Sequence, residues 1–167
     1  MNEAGPFRIV SGGQTGADRA ALDAALELGL DAGGWVPLGR KAEDGIIPHH
    51  YPNLKEAESE LPAVRTQRNV LDSDATVIFS HGILSGGTAL TESIARTLSK
   101  PLLHLDLNRI SELNASAELY EWLARQQIGT LNVAGPRESQ DPAIYASTRR
   151  VLIAALRRAC TGSTFHE

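Results

Sequence analysis

Cysteine is all but missing from this chain: Cys160 is the one thiol in 167 residues. That excludes an internal disulfide and suits a reducing compartment, so the expected location is the cytoplasm. Near the end of an Arg-rich stretch, Cys160 reads as a packing residue rather than a nucleophile. Aromatic residues are scarce, at 5% of the chain, and Trp35 and Trp122 stand apart from any basic cluster. An aromatic platform for nucleic acid is therefore not expected, and both tryptophans read as packing residues. No apolar run approaches the roughly 18 residues of a membrane span, and no signal-peptide pattern opens the sequence. Neither sign of charge dominates: 16 Lys and Arg face 20 Asp and Glu, for a net −4. With no global field to favour nucleic acid or an acidic membrane, an anionic ligand must be drawn in by local positive groups. His49 and His50 are adjacent, would point apart on a helix or strand, and have no Cys or His partner at ligand spacing. No protein-bound metal is expected. No G-x-S-x-G elbow marks a nucleophilic serine.

What is present fits one domain with a sizeable core. Apolar residues make up 42% of the chain and charged residues 22%, as in soluble globular proteins. Residues 1–160 read as one ligand-binding domain, and residues 161–167 as a frayed tail. Strand and helix patterns alternate. Strands are expected at Phe7–Ser11, Gly34–Pro37, Ala75–Ser80, Leu102–Leu105 and Thr130–Val133. Helices are expected at residues 17–28, with Gly29 as the stop, and at Ala63–Leu71, Thr88–Leu98, Ser116–Gln126 and Asp141–Ala159. Pro142 is placed in the first turn of the last helix. Residues 38–54 form a long connection without periodicity, the kind that often serves as a lid or binding loop. This order predicts an α/β fold: a Rossmann-like three-layer sandwich with a mostly parallel sheet of about five strands.

In such sheets ligands sit beyond the carboxyl ends of the strands. The unusual polar segments of this chain all follow strands, so Gly12–Asp18, Pro37–Pro52, His81–Thr88 and Gly135–Ser139 should meet at one edge. In the first, Gly12, Gly13 and Gly16 allow tight turns and close approach of main-chain N–H groups, backed by a helix N-terminus. Gln14 and Thr15 add side-chain donors. On this reading Gly13→Val should block approach of an anion yet leave the fold intact. A glycine-rich turn used only for close packing has the same signature, and the pattern is neither the dinucleotide nor the Walker motif. Gly86, Gly87 and Thr88 repeat the arrangement, a glycine pair before a helix whose first turn holds hydroxyls. The plainer alternative makes Thr88 an N-cap and Thr91 a side chain turned back on its helix. Arg137 offers a bidentate contact to phosphate, or is a solvated loop residue paired with Glu138. Ser139 or Asp141 is placed to cap the last helix. Arg65 and Asn69 lie four apart on one helical face, so one can reach a ligand while the other fixes it. Arg40, Lys41, Glu43 and Asp44 either lie over the site or are merely soluble loop content.

Ser11–Asp18 (SGGQTGAD), Gly33-Gly34-Trp35, residues 39–45 (GRKAEDG), Arg65-Thr66, Asn69-Val70, residues 86–91 (GGTALT) and Leu131–Ser139 (LNVAGPRES) resemble the molybdenum-cofactor carrier family. That family lies within the Rossmann-like superfamily that includes the Lonely Guy phosphoribohydrolases. The resemblance covers nearly the whole chain. It implies a doubly wound fold, a phosphate-bearing ligand, homo-oligomers (dimer or tetramer), and the molybdenum cofactor as cargo. In this reading Gly12, Gly13, Gln14, Thr15, Gly16, Gly86, Gly87 and Thr88 hold the phosphate. Arg40, Arg65 and Arg137 supply charge, while Asp18 and Asn69 orient the loops. Resemblance to the hydrolases suggests a rival: nucleoside-monophosphate cleavage with Glu92 as acid/base and Arg65 on the ribose phosphate. Against the hydrolase pattern, Ser85 replaces a proline, Ala89 a glycine, and Thr66 stands where a lysine is expected. A nucleotide-sensing module would use the same pocket. No nucleic acid or membrane partner is implied.

Overall fold

The computed structural model describes residues 7–161. Chain order is β1 (Arg8–Val10), α1 (Ala17–Glu27), β2 (Asp31–Val36), β3 (Lys41–Ala42), β4 (Gly45–Ile46), β5 (Leu54–Glu56) and α2 (Pro62–Leu71). It continues with β6 (Ala75–Ser80), α3 (Gly86–Thr97), β7 (Leu102–Asp106), α4 (Glu112–Arg125), β8 (Thr130–Ala134) and α5 (Ile144–Thr161). Six strands form one parallel sheet in the order β5-β2-β1-β8-β6-β7. The expected α/β sandwich is therefore observed, with six strands rather than five.

Right-handed crossovers explain the layers. From β1 the chain steps outward to β2 through α1, and from β6 it steps in the opposite direction to β7 through α3. Steps of opposite direction and one hand put α1 and α3 on opposite faces. Helices α1 and α4 each pack on α5 over one face, and α2 packs on α3 over the other. Strand β6 is buried at every position, and Ile9, Val77, Phe79, Leu131 and Val133 form the centre of the core. Helix α1 turns Ala17, Ala20, Ala21, Ala24 and Ala25 inward, so its axis lies close to its neighbours. Gly29, at φ +68°, ends it in a conformation that β-carbon-bearing residues rarely adopt.

Several boundaries differ from expectation for identifiable reasons. Strand β2 begins at Asp31, not Gly34, and carries the Gly33-Gly34 pair inside it. A Cβ on Gly34 would stand 2.3 Å from the carbonyl oxygen of Ser11, and one on Gly33 2.8 Å from that of Asn53. The pair is thus a slot for neighbouring backbone, not a turn. Strand β5, at the end of the long connection, has only Leu54, Lys55 and Glu56, too short and polar to show a period. Helix α3 starts at Gly86 with Ser85 at the N-cap, so Thr88 lies in the first turn instead of capping. Pro142 precedes α5 rather than opening it, and the Asp141 carboxylate accepts the Ala143 N–H at 3.1 Å in the turn that leads into the helix. Trp122 is buried, while Trp35 is half-buried between Lys55 and Arg68 and donates to Asp72. Cys160 is exposed, so it is not the packing residue expected. Helix α5 extends through Thr161, and the rest of the expected tail lies outside the described residues. Among them, no helix is long and apolar enough to cross a membrane.

Candidate functional site

The segments that follow β1, β6 and β8 meet at one edge of the sheet, and between them and α2 lies a cleft of about 70 Å³. The segment after β2 reaches this edge through Glu43 and Asp44 but does not line the cleft. It is lined from the β1 loop by Gln14 and Asp18, and from α2 by Pro62, Ala63, Arg65 and Thr66. Helix α3 contributes Gly87, Thr88, Leu90 and Thr91; the β8 loop adds Ala134, Gly135, Arg137 and Gln140. The first turn of α3 therefore faces the cleft, where the helix dipole favours negative charge.

Arg65 is the principal cation. Its side chain is 14% exposed, and its Nη1 lies 3.8 Å from the Asp18 carboxylate and donates to Thr66 Oγ1 at 3.2 Å. Its Nε is buried with no hydrogen-bond partner. The guanidinium reaches this position across Gly12, where a Cβ would stand 2.2 Å from Nη1. Asp18 is buried in the first turn of α1 and accepts the Gln14 N–H at 3.2 Å. Burial pushes its carboxyl above the ordinary range, against the opposing pull of Arg65, the Gln14 N–H, Arg19 and Arg137. The guanidinium thus faces a carboxyl that is costly to ionise and so compensates it incompletely.

Over the β1 loop folds the β3–β4 hairpin. The Glu43 carboxylate accepts the Thr15 hydroxyl, the Ser139 N–H at 3.1 Å and the Ser139 hydroxyl at 2.6 Å, and lies 4.0 Å from Arg137 Nε. The Ser139 and Thr15 hydroxyls hold its carboxyl below the usual carboxylate range. Its own N–H donates to Gln14 Oε1 at 2.9 Å, which also takes the Thr15 N–H at 3.0 Å. Next to it, Asp44 accepts both terminal nitrogens of Arg19, at 2.5 and 2.8 Å. Of the hairpin residues, Glu43 contacts the β1 loop and Asp44 the first turn of α1 beside the cleft, Lys41 pairs with Glu60 away from it, and none of them lines it.

Of the residues expected to bind ligand, Gln14, Asp18, Arg65, Gly87, Thr88 and Arg137 line the cleft together. The others act around it. Gly13, at φ +73°, faces Ile47 and Val36, so Gly13→Val would strain the backbone and displace core atoms rather than block an anion. At Gly16 a Cβ would stand 2.4 Å from the Pro136 carbonyl oxygen. Thr15 spends its hydroxyl on Glu43 and accepts the Glu138 N–H at 3.1 Å. Arg40 binds the carbonyls of Ile47 and Pro48 and shapes its own loop. Asn69 clamps β2 through both main-chain groups of Trp35, at 2.8 and 2.9 Å. Gly86 is exposed at the rim, with φ +52°. Glu92 is outside the lining and pairs with Arg96 one turn along α3, at 3.4 Å.

Sequence reasoning missed Gln140 and gave Thr66 no role. Of the two cap candidates for the last helix, Ser139 and Asp141, the Ser139 hydroxyl goes instead to Glu43. Thr91 does turn back on its helix, donating to the Gly87 carbonyl at 2.9 Å. Elsewhere on the same edge, the Ser80 hydroxyl lies 2.8 Å from the Gly82 carbonyl oxygen and 2.7 Å from His104 Nε2. Among the described residues no group of three or more His, Cys, Asp and Glu is placed to hold a metal ion.

The sequence profile described as "Circularly permutated YpsA SLOG family" matches residues 9–156. Among solved structures, a protein of Syntrophus aciditrophicus SB, whose name assigns it by inference as a molybdenum carrier, is 51% identical. It superposes with a TM-score of 0.88 over 90% of this chain and 94% of its own. No curated protein matches. A profile match across the sheet, the cleft and α5, with a relative this close, bears out the family resemblance read from residues 11–18 and 131–139: the chain belongs to the circularly permutated YpsA SLOG family.

Proposed function

We propose that this protein binds and carries a phosphate-bearing small molecule, with the molybdenum cofactor as its cargo. One observation carries the reading: the nearly buried guanidinium of Arg65 lies at a cleft edged by the first turn of α3, with a nitrogen left unpartnered. An unpaired buried donor costs about 1–3 kcal/mol, and more when charged; an anion in the cleft offsets the cost of the buried guanidinium charge. Arg137 and the hydroxyl of Thr88 supply further donors. The name of the Syntrophus relative supports the molybdenum cargo.

The dimensions fit part of such a ligand. At about 70 Å³ the cleft is well below the roughly 300–1,000 Å³ typical of sites that enclose a whole cofactor. It suits the phosphate, leaving the pterin outside, over the exposed rim at Gly86 and Gly87. Cargo held this way is gripped by its phosphate and keeps its metal end free for transfer. We take the working protein to be a cytoplasmic homo-oligomer, dimer or tetramer, which sedimentation of the purified chain tests directly.

Thermal unfolding with inorganic phosphate, AMP and purified molybdopterin cofactor tests the reading. A ligand at 100 times its dissociation constant adds about 2.7 kcal/mol, which for a chain of this size raises Tm by roughly 5–10 °C. The expected result is a shift with the cofactor that is lost in Arg65→Ala. No shift with any of the three, or a shift untouched by Arg65→Ala, overturns it.

A further inference from the structure

Besides the Arg65 cleft, the same edge holds a second anion niche, and the protein fills it with its own carboxylate. Thr15 and Ser139 give Glu43 two hydroxyls and one main-chain N–H, with Arg137 at 4.0 Å. Such a set of neutral and cationic donors around one carboxylate is what a phosphate oxygen requires. The two niches are neighbours by construction. Gln14 and Arg137 line the cleft, and the same residues meet Glu43, Gln14 through the Glu43 N–H and Arg137 through its charge.

The element that delivers Glu43 is a two-stranded hairpin at the surface. Lys41, Glu43, Asp44, Gly45 and Ile46 are all exposed, while Ile47 just beyond them is fully buried and anchors the loop. Gly39 at φ +81° and Gly45 at φ +122° flank the tip with nothing crowding either position. Besides the β3–β4 pairing, the packing of half-buried Ala42 on the core and the Glu43 N–H bond to Gln14 Oε1, the hairpin tip is held by charged contacts, Glu43 to Ser139 and Thr15, Asp44 to Arg19, and Lys41 to Glu60. Charged contacts of that kind exchange with a competing anion, while Ala42 and Ile47 hold the base of the hairpin.

We propose that Glu43 occupies, in the free protein, the place of a second phosphate. The ligand class is then a diphosphate, whose first group takes Arg65 and whose second displaces the Glu43 carboxylate and lifts the hairpin. This rests on the phosphate reading of the cleft and narrows it from one phosphate to two in tandem.

Calorimetric titration with inorganic phosphate and inorganic pyrophosphate, on wild type, Glu43→Gln, Glu43→Ala and Arg65→Ala, tests it. Removing the plug is expected to tighten pyrophosphate binding at least tenfold and phosphate binding less than threefold. ADP should follow pyrophosphate, and AMP should follow phosphate. Adding Ser139→Ala to Glu43→Ala should weaken pyrophosphate severalfold and leave phosphate unchanged. In wild type, pyrophosphate but not phosphate should speed hydrogen exchange at residues 41–46. If phosphate binds through Arg65 while Glu43→Ala leaves pyrophosphate unchanged or weaker, the plug is overturned and the single-phosphate reading stands. If no anion binds any variant, both fall. Pyrophosphate binding gained only on removal of Glu43 supports both.

Discussion

The guanidinium of Arg65 occupies the space that a side chain on Gly12 would fill: a Cβ there would stand 2.2 Å from Nη1 and 2.5 Å from Cζ. Gly12 has no positive φ, so alanine fits its backbone, and the obstructing atoms end a flexible side chain. Gly12→Ala should therefore push Arg65 out of the cleft and leave the sheet intact. The expected outcome is at least a tenfold loss of phosphate affinity with a stability change within about 1 kcal/mol, by calorimetry and urea unfolding. Gly16→Ala is the contrast. There the clash is with the Pro136 carbonyl, and φ is +80°, so strain costs roughly 1–3 kcal/mol and the fold itself suffers.

Asp18 makes a prediction in pH. Burial raises its carboxyl in the folded protein, so between the unfolded value near 3.8 and that raised value the folded state holds more protons than the unfolded. Stability at this site is then fully present at low pH and declines as pH rises through the window. Asp18→Asn keeps an acceptor for the Gln14 N–H and removes the charge. Relative to wild type it should be more stable near pH 7 than near pH 4, as read by urea unfolding at about those two values. It should also bind phosphate more tightly, because Arg65 then has no competing carboxylate. A wild type that gains stability over the variant with rising pH would contradict the burial argument.

The convergence of loops was legible in the chain because it depends only on strand order and crossover hand. The role of each glycine was not. A main chain bared to meet an anion and a main chain bared to meet protein both need the β-carbon gone, so Gly12, Gly13 and Gly16 carry one signature for two uses. Their β-carbons would meet Arg65, Ile47 and Pro136, contacts that no local pattern announces. Glu43 was harder still, since its partner Ser139 is 96 residues away and nothing local announces the contact. Strand β5 has too few residues to show a period, and the Gly33-Gly34 pair imitates a turn. Thr91 was readable because helical spacing fixes where it can reach, whereas Asn69, four residues from Arg65, turns to Trp35 of β2 and not to the cleft.

Asp23, on α1, joins the long loop to the last helix by accepting the hydroxyls of Tyr51, at 2.7 Å, and Tyr145. Burial and that carboxylate push the Tyr145 phenol up to about 12, and Tyr51 is raised further in the same way. Folded-state protons held above the ordinary phenol value mean that stability is lost as pH climbs from 10 towards 12. Phenolate absorbance should show both rings still protonated at about pH 11 in wild type. Asp23→Ala leaves two inward hydroxyls without their acceptor and should cost on the order of 2–4 kcal/mol in urea unfolding. Full ionisation of the tyrosines near the ordinary value in a folded wild type would remove the clamp from the account.

Glu92 separates carrier from hydrolase. Cleavage of an N-glycosidic bond needs an acid/base within hydrogen-bond reach of the bond, or one water away. The Glu92 side chain does not line the cleft but turns to Arg96 one helical turn along, and the cleft-facing hydroxyls are those of Thr88 and Thr91. An exposed pair of this spacing is worth roughly 0.3–0.5 kcal/mol. Glu92→Gln should therefore change stability by no more than that and leave phosphate affinity as it was. Incubation of wild type with AMP should release no free adenine. Release of adenine and ribose phosphate that is lost in Glu92→Gln would return the protein to the hydrolases, with α3 rotated or unwound in the reacting state. Release that survives Glu92→Gln would point to Asp18 instead, the lining carboxyl that burial already favours in its protonated form.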